Sequence, residues 1–248
     1  MWLKLRRARG IVLCIAALVS TVWLALTNQL ILYIHPRYIV FTVIMAAVGL
    51  AIVVASLARR PDHDHDEQPV GWRAVVSNTA TVSTLVLAAG LIVVPPATLT
   101  TATADQRVIN STNVGQSSKT LDSAAVAPAN ASARFSVADW ASLLRQTTDS
   151  SFYRNKPVDV TGFVTADKDD ANNIFYVSRF VITCCAVDAQ PVGVPVYLPD
   201  WRNALAPNQW VQVKGEFDSN PSRSSQQPVV IVPASTAKVE QPSEPYLY

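Results

Sequence analysis

Two long stretches without any charged side chain limit what this chain can fold into more than any other feature. Residues 10–34 and residues 38–58 contain no Asp, Glu, Lys or Arg, and only 15% of the whole chain is charged. An average soluble domain carries roughly 25% charged residues. A bilayer core of about 30 Å is crossed by roughly 20 apolar residues in a helix, and both stretches reach that length. The sequence therefore predicts two membrane-spanning helices.

A third segment, residues 75–97, is uncharged but less apolar. Ser77, Asn78 and Thr79 dilute its first half, and Pro95-Pro96 at its end removes two backbone donors. We expect it to cross the membrane as well, with a re-entrant or interfacial segment as the alternative. The prediction for the first 97 residues is therefore three N-terminal transmembrane helices.

The basic residues predict the orientation of these helices. They precede the first segment and lie between the second and the third: Lys4, Arg6, Arg7, Arg9, Arg59, Arg60 and Arg73. Positive residues favour the cytoplasmic side. The N-terminus is therefore expected in the cytoplasm of a multi-pass plasma-membrane protein. Three crossings would place the C-terminal half outside, or in the periplasm.

The second half of the chain has the pattern of a small β domain. Residues 98–133 are rich in Thr, Ala, Ser and Asn, which predicts a flexible linker. Residues 134–240 begin with a capping box, Ser136 to Asp139, and a helix with Trp140, Leu143 and Leu144 on one face. Residues 241–248 are predicted to be a tail.

Five short strand-like runs follow that helix, and two of them contain a glycine. The runs cover residues 158–164, 174–184, 192–198, 210–217 and 229–232. Gly162 and Gly215 each follow alternating valines, where a strand can bulge and bend. We therefore expect an all-β OB-like barrel with one peripheral helix. A β-sandwich is the alternative.

The densest polar motif of this domain contains two adjacent cysteines. Cys184 and Cys185 follow Arg179 and Phe180, and Asp188 comes three residues later. Thiolate and carboxylate groups bind zinc or another divalent metal. Two other hypotheses remain: one cysteine packs in the core while the other is a bystander, or the pair is redox active as a vicinal disulfide. Asp188 could instead cap a turn, and Arg179, if close to the thiols, would favour the thiolate form.

A second candidate metal site lies between the second and third apolar segments. His63, Asp64, His65 and Asp66 alternate imidazole and carboxylate groups. Such short tracts bind divalent metals weakly. A solvated acidic loop is the alternative.

The sequence gives no support for an enzyme or for a nucleic-acid-binding protein. All three histidines occur before residue 66, so no Ser/His/Asp triad can be assigned within the β domain, and with eight glycines there is no phosphate-binding loop. The formal net charge is only +2, without a dense basic run.

Several of these segments together resemble the YcgQ-type family of bacterial membrane proteins. The similar residues are Tyr33-Ile-His-Pro-Arg-Tyr38, Arg179-Phe180, Cys184-Cys185-Ala-Val-Asp188, Pro191-Val-Gly193 and Trp210-Val-Gln-Val-Lys-Gly215. The resemblance implies an accessory subunit of a separate multi-span permease, with a link to metal supply. The expected partners are that permease and membrane lipid. The predicted spans bury no ionisable residue, so the permeation pathway is expected in the other chain.

Overall fold

The computed structural model of the protein describes residues 2–58, 72–94, 98–111, 119–126 and 128–248. The chain divides into two compact units, Met1–Ala97 and Thr98–Tyr248. Each unit has its own packing and is described by itself.

The N-terminal unit consists of three long helices. These are α1 (Trp2–Leu26), α2 (Ile39–Ala58) and α3 (Trp72–Val93). Asn28 adopts a left-handed backbone conformation (φ 57°) just after α1, which asparagine tolerates better than most residues. Two short 3-10 turns, Leu30–Leu32 and Pro36–Tyr38, then lead into α2. α1 packs against both other helices.

The prediction of three transmembrane helices is wrong. Within the described residues one helix, Pro36–Ser56, is both long and apolar enough to cross a membrane. The apolar part of α1, Gly10–Leu26, has only 17 residues because the helix ends at Leu26 and not at residue 34. Polar side chains interrupt α3, and Thr81 and Thr84 lie on its buried face. The location of the C-terminal domain outside the cytoplasm was inferred from three membrane crossings. It stays a prediction, and three crossings no longer support it.

The C-terminal unit is built around one six-stranded mixed sheet. Its strands are β1 (Val158–Ala166), β2 (Ile174–Val181), β3 (Gln190–Tyr197), β4 (Trp210–Ser219), β5 (Val229–Lys238) and β6 (Tyr246–Leu247). They are ordered β1-β4-β5-β3-β2-β6, and β1 also pairs with β2. β1 pairs with β4 along residues 158–163 and with β2 along residues 163–166, so the sheet closes on itself.

An all-β domain with one peripheral helix is likewise not what the structure contains. Two strand pairs are parallel, β3 with β5 and β2 with β6, so the sheet is mixed. Four α-helices of the described residues belong to this unit: α4 (Thr101–Asp105), α5 (Leu121–Val126), α6 (Val137–Gln146) and α7 (Ser150–Tyr153). The short helices were missed because each has fewer than two turns, too few for a periodic pattern.

The described residues of the segment 98–133 are attached to the β domain and do not form the predicted linker. The Asn110 side-chain amide donates to Gly193 O (2.9 Å), and its oxygen accepts from Gly193 N (2.9 Å). The Leu99 amide donates to the Tyr246 hydroxyl (2.9 Å). The predicted tail 241–248 contains β6, which pairs with Phe180 and Val181. Hydrogen bonds between distant residues thus order segments whose composition alone suggests disorder.

The main core of the unit lies between α6 and the sheet. The predicted capping box is confirmed: Ser136 Oγ accepts from Asp139 N (3.1 Å), and Ser136 N donates to the Asp139 carboxylate (2.9 Å). Trp140 is fully buried, with ring centroids 5.2 Å from Phe135 and 4.9 Å from Phe217. This box fixes where the helix begins, and therefore which face meets the core.

Two glycines let strands approach each other closely. A Cβ at Gly162 would lie 2.4 Å from Ser178 O, where β1 meets β2. A Cβ at Gly215 would lie 2.3 Å from Val232 O, and the β4–β5 register shifts between Lys214 and Gly215. The bulge predicted at Gly215 is therefore confirmed.

Candidate functional site

The two adjacent cysteines lie in a turn after β2, which we call the cysteine corner (residues 183–188). β2 ends at Val181, so the predicted strand over residues 174–184 is three residues too long. Within the corner, Ala186–Asp188 forms a 3-10 turn. Because the strand has ended, the alternation that would direct neighbouring thiols to opposite faces does not apply to Cys184 and Cys185.

Asp188 holds the corner together through both of its carboxylate oxygens. One oxygen accepts from the Thr183 amide (3.2 Å) and the other from the Cys184 amide (2.7 Å). The Asp188 amide in turn donates to Cys185 O (3.0 Å). The carboxylate therefore acts as a turn cap, which was one of the two roles expected for it.

The thiols of the corner are accessible. Cys184 is exposed and Cys185 is half-buried, whereas the third cysteine, Cys14, lies in α1 of the other unit. The described part of the chain contains no group of three or more His, Cys, Asp or Glu side chains arranged to hold a metal ion. A tetrahedral metal bound here would therefore need ligands beyond those of the corner.

An arginine from the segment before β1 contacts the corner. Arg107 donates from Nη2 to Val187 O (3.1 Å). The Val187 side chain points outward and is 82% exposed. The corner thus carries two thiol groups and one exposed apolar side chain on a backbone that is hydrogen-bonded by Asp188 and by Arg107.

Arg179 binds the C-terminal segment. Its guanidinium donates to Pro245 O (2.9 Å), Glu244 O (2.6 Å) and Thr161 O (3.3 Å). It also lies over the Trp210 ring, 5.2 Å from the centroid. Burial lowers the pKa of Arg179 to about 10, so the group is charged at neutral pH. The structure thus gives the arginine a structural role between β1, β2 and β6.

Phe180 belongs to a small aromatic cluster on the sheet. It is buried, and its ring stacks on Phe163 with centroids 5.4 Å apart. Tyr246 of β6 packs against its edge at 6.4 Å. Phe180 therefore contributes packing next to the Arg179 contacts.

The second candidate metal site cannot be placed, because His63, Asp64, His65 and Asp66 lie outside the described residues. The third histidine, His35, caps the turn before α2. Its Nδ1 accepts from the Arg37 amide (3.2 Å). That contact supports a structural role for the turn between α1 and α2.

Sequence reasoning missed a buried carboxylate network at the turn between β1 and β2. The Asp170 carboxylate accepts from the Ser222 hydroxyl (2.6 Å) and from the Asn173 amide group (2.9 Å). Its backbone amide donates to the Asp167 carboxylate (3.0 Å). The hydrogen bond from Ser222, followed by those from Asn173, lowers the pKa of Asp170. The residues Asp169-Asp-Ala-Asn-Asn173 are of types that favour turns, but nothing near them in the sequence indicates a contact with Ser222.

Comparison with known families assigns both parts of the chain. Residues 116–248 match the DUF1980 C-terminal domain. Residues 8–110 match the DUF1980 N-terminal domain. The chain belongs to the DUF1980 family. No curated protein matches it. The cysteine corner, Arg179 and the Asp170 network all lie in the DUF1980 C-terminal domain, whereas Arg107 comes from the segment matched to the N-terminal domain.

Proposed function

We propose that this DUF1980 protein is a YcgQ-type accessory subunit of a membrane permease, and that the cysteine corner supplies thiolate ligands for a divalent metal such as zinc. The observation that carries the proposal is the corner itself. Two adjacent thiols stand at an accessible turn whose backbone is held by Asp188 and Arg107. A turn that needed only to connect two strands would not require cysteines.

The membrane part of the proposal rests on α2. The helix Pro36–Ser56 has 21 residues, and few of its residues are buried inside the unit, although one side packs on α1. Val40, Ile44 and Ile52, spaced at intervals of four or eight residues on one side of the helix, are more than half exposed. Such a surface is unstable in water and stable in lipid. One inserted helix attaches the chain to the bilayer but provides no pathway, so transport belongs to a partner.

The corner is proposed as a shared site. Zinc takes four ligands in structural sites, and the described part of this chain offers only two thiols here. The remaining ligands would come from the partner, from solvent or from the metal's own complex. Such a half-site suits a subunit that passes a metal on, because an incomplete ligand set binds less tightly than a closed one.

The metal proposal is tested by replacing both corner cysteines together. The full-length protein, purified without chelator from its own membranes with the partner attached, is compared with the Cys184→Ser/Cys185→Ser variant by elemental analysis. We expect about one zinc per chain in the wild type and none in the double variant. Cys14→Ser is the matched control and should retain the metal. Equal metal in the double variant and the wild type would exclude the corner as a metal site.

Thiol redox chemistry remains the alternative for the same two cysteines. Counting accessible thiols in that purified protein with and without reductant separates the two hypotheses. A gain of two thiols on reduction, together with no metal, would favour the redox hypothesis.

Docking to a partner protein is a second candidate function, favoured by the exposure of Val187. We expect Val187→Asp to reduce co-purification of the partner by about tenfold, because a charge would be buried at the contact. Val232→Asp is the control, since Val232 is also exposed (45%) but lies on β5. A similar loss of partner in both variants would argue against a specific contact at the corner.

A further inference from the structure

The N-terminal unit contains a cavity that the proposed function does not use. It has a volume of about 640 Å³ and lies between α1 and α3. Its walls include Ala17, Ser20 and Leu24 from α1 and Val86, Leu87 and Gly90 from α3. Most of the lining is apolar, and the volume falls in the range of small-molecule binding sites. The cavity could therefore hold a ligand with a large apolar part.

One polar group of the cavity wall has no hydrogen bond. Ser20 is 8% exposed, and its hydroxyl has no partner among the described residues. Neighbouring hydroxyls behave differently: Thr21 donates to Ala17 O (2.9 Å) and Thr84 to Ala80 O (2.8 Å), each within its own helix. A buried hydroxyl without a partner costs free energy, so such groups in proteins are normally satisfied. An occupant that offers an acceptor would satisfy Ser20.

The cavity opens onto an apolar helix surface. Val86, Leu87 and Val94 line it and are each more than half exposed. A water-soluble ligand would have to cross this apolar rim, whereas a molecule already in the bilayer meets it directly. The rim therefore favours an occupant that arrives from the lipid phase.

The size of the cavity argues against a partner helix. A helix with its side chains is about 10 Å wide, so a cylinder of about 640 Å³ would hold only about 8 Å of it, roughly a turn and a half. An acyl chain is much narrower and flexible, and can fill the same volume along its length. Ser20 is six residues before the end of α1, about 9 Å along the axis, within reach of a lipid ester group.

We infer that this cavity binds one acyl chain of a membrane lipid, whose ester carbonyl oxygen accepts the hydrogen bond of Ser20. This inference rests on the membrane insertion of α2 proposed above. It adds a lipid site within the N-terminal unit, separate from the cysteine corner.

The test uses the full-length chain in vesicles of phosphatidylethanolamine and phosphatidylglycerol that contain a trace of phosphatidylcholine with a photoreactive acyl chain. After illumination, mass spectrometry measures lipid adducts on residues 17–24 and 86–94 and on the exposed side of α2. The adduct ratio is the amount on the cavity residues divided by the amount on α2. The adducts on α2 report bilayer contact and serve as the internal reference.

Two pairs of variants make the test specific. A Cβ atom at either Gly90 or Gly10 would meet no other atom within 4 Å, but only Gly90 lines the cavity. We expect Gly90→Leu to lower the adduct ratio about tenfold, the effect of excluding about two methylene groups, and Gly10→Leu to leave it unchanged. Ser20→Ala should lower it about threefold through the lost hydrogen bond. Thr84→Val, which removes a hydroxyl bonded within its own helix at a position that does not line the cavity, should not.

Several outcomes would overturn the inference. An equal adduct ratio in the wild type and in Gly90→Leu would show that lipid does not enter the cavity. Adducts on α2 with none on α1 or α3 would remove the lipid site and leave the proposed membrane insertion intact. Adducts on none of the three helices would remove both. A photoreactive residue at position 90 that crosslinks in cell membranes to protein and not to lipid would assign the cavity to a partner.

Discussion

At the scale of single residues, the charged groups of the candidate motif have structural roles that differ from each other. Asp188 closes the turn that contains the cysteines, and Arg179 binds the backbone of the C-terminal segment. Arg107, 72 residues earlier in the chain, is the arginine that contacts the corner. Cys184 and the Val187 side chain are exposed at the corner, and Cys185 is half-buried. Adjacency in sequence identified the region but not the role of each group.

The Asp170 network predicts a defined pH dependence of stability. Because the folded pKa of Asp170 is lowered, its stabilising contribution is present above the unfolded value of about 3.9 and is lost as pH falls through the folded value. We expect Asp170→Asn to reduce the free energy of unfolding by about 1–2 kcal/mol at neutral pH. The difference from the wild type should shrink below about pH 4, where the wild-type carboxyl is protonated too.

Urea unfolding of the full-length protein at a series of pH values measures this difference. Asp169→Asn is the matched control, because it removes the same charge from the neighbouring exposed residue. The free energy of unfolding of Asp170→Asn and of the wild type is plotted against pH. A constant difference between the two through the acid range would contradict the assignment of the effect to Asp170.

At the scale of elements, the short strand β6 changes the edge of β2. β1 pairs with β2 only up to Ser178, and β6 pairs with Phe180 and Val181, so one edge of β2 is shared by two strands. Arg179 lies between them and donates to both sides, to Thr161 O and to Pro245 O. The last residues of the chain are therefore part of the sheet, although their composition resembles a tail.

Replacing Arg179 with lysine should release β6. Lysine keeps the charge but lacks the planar guanidinium that donates to three carbonyl groups. We therefore expect the free energy of unfolding to fall by about 1–3 kcal/mol. The Ile182 amide donates to Leu247 O (2.9 Å), and its hydrogen exchange reports locally on the docking of β6. Exchange at Ile182 should become faster in Arg179→Lys.

Arg202→Lys is the control for the aromatic contact of Arg179. Both guanidinium groups lie over a tryptophan ring, 5.2 Å from Trp210 for Arg179 and 4.4 Å from Trp201 for Arg202. If stacking alone mattered, the two variants would lose similar stability. Unchanged Ile182 exchange in Arg179→Lys would mean that other contacts hold β6.

At the scale of the whole molecule, the C-terminal unit is larger than the β domain that the sequence predicts. It begins at Thr98 and extends to Tyr248, whereas the sequence predicts a domain of residues 134–240 between a linker and a tail. The segments that the structure adds before residue 134 and after residue 240 contact each other, because the Leu99 amide donates a hydrogen bond to the Tyr246 hydroxyl. The folding unit is therefore closed by its own termini.

Two fragments distinguish these boundaries. We expect residues 98–248 to unfold in one cooperative transition, because they contain a complete core and both closing segments. Residues 134–240 lack β6 and the Asn110 contacts, and should unfold without a sharp transition or aggregate. Calorimetry and near-ultraviolet circular dichroism compare them. Equal transition temperatures would support the shorter domain.

The sequence by itself determined the local features of this protein. The capping box at Ser136, the glycine bulge at Gly215 and the positions of five strands were all predicted, because each depends on residues close together in the chain. The cysteine corner was located for the same reason, although the strand before it proved shorter. Local patterns carry such information through backbone preference and periodicity.

Only the tertiary structure decided which segments are ordered and what the charged residues do. The contacts that attach residues 98–111 and β6 join groups far apart in sequence, such as Leu99 with Tyr246 and Asn110 with Gly193. Two of the three predicted membrane spans failed as well, since α1 ends at Leu26, two residues before the left-handed Asn28, and α3 buries threonines. A hydrogen bond between distant residues leaves no periodic trace in either segment, so composition alone could not reveal it.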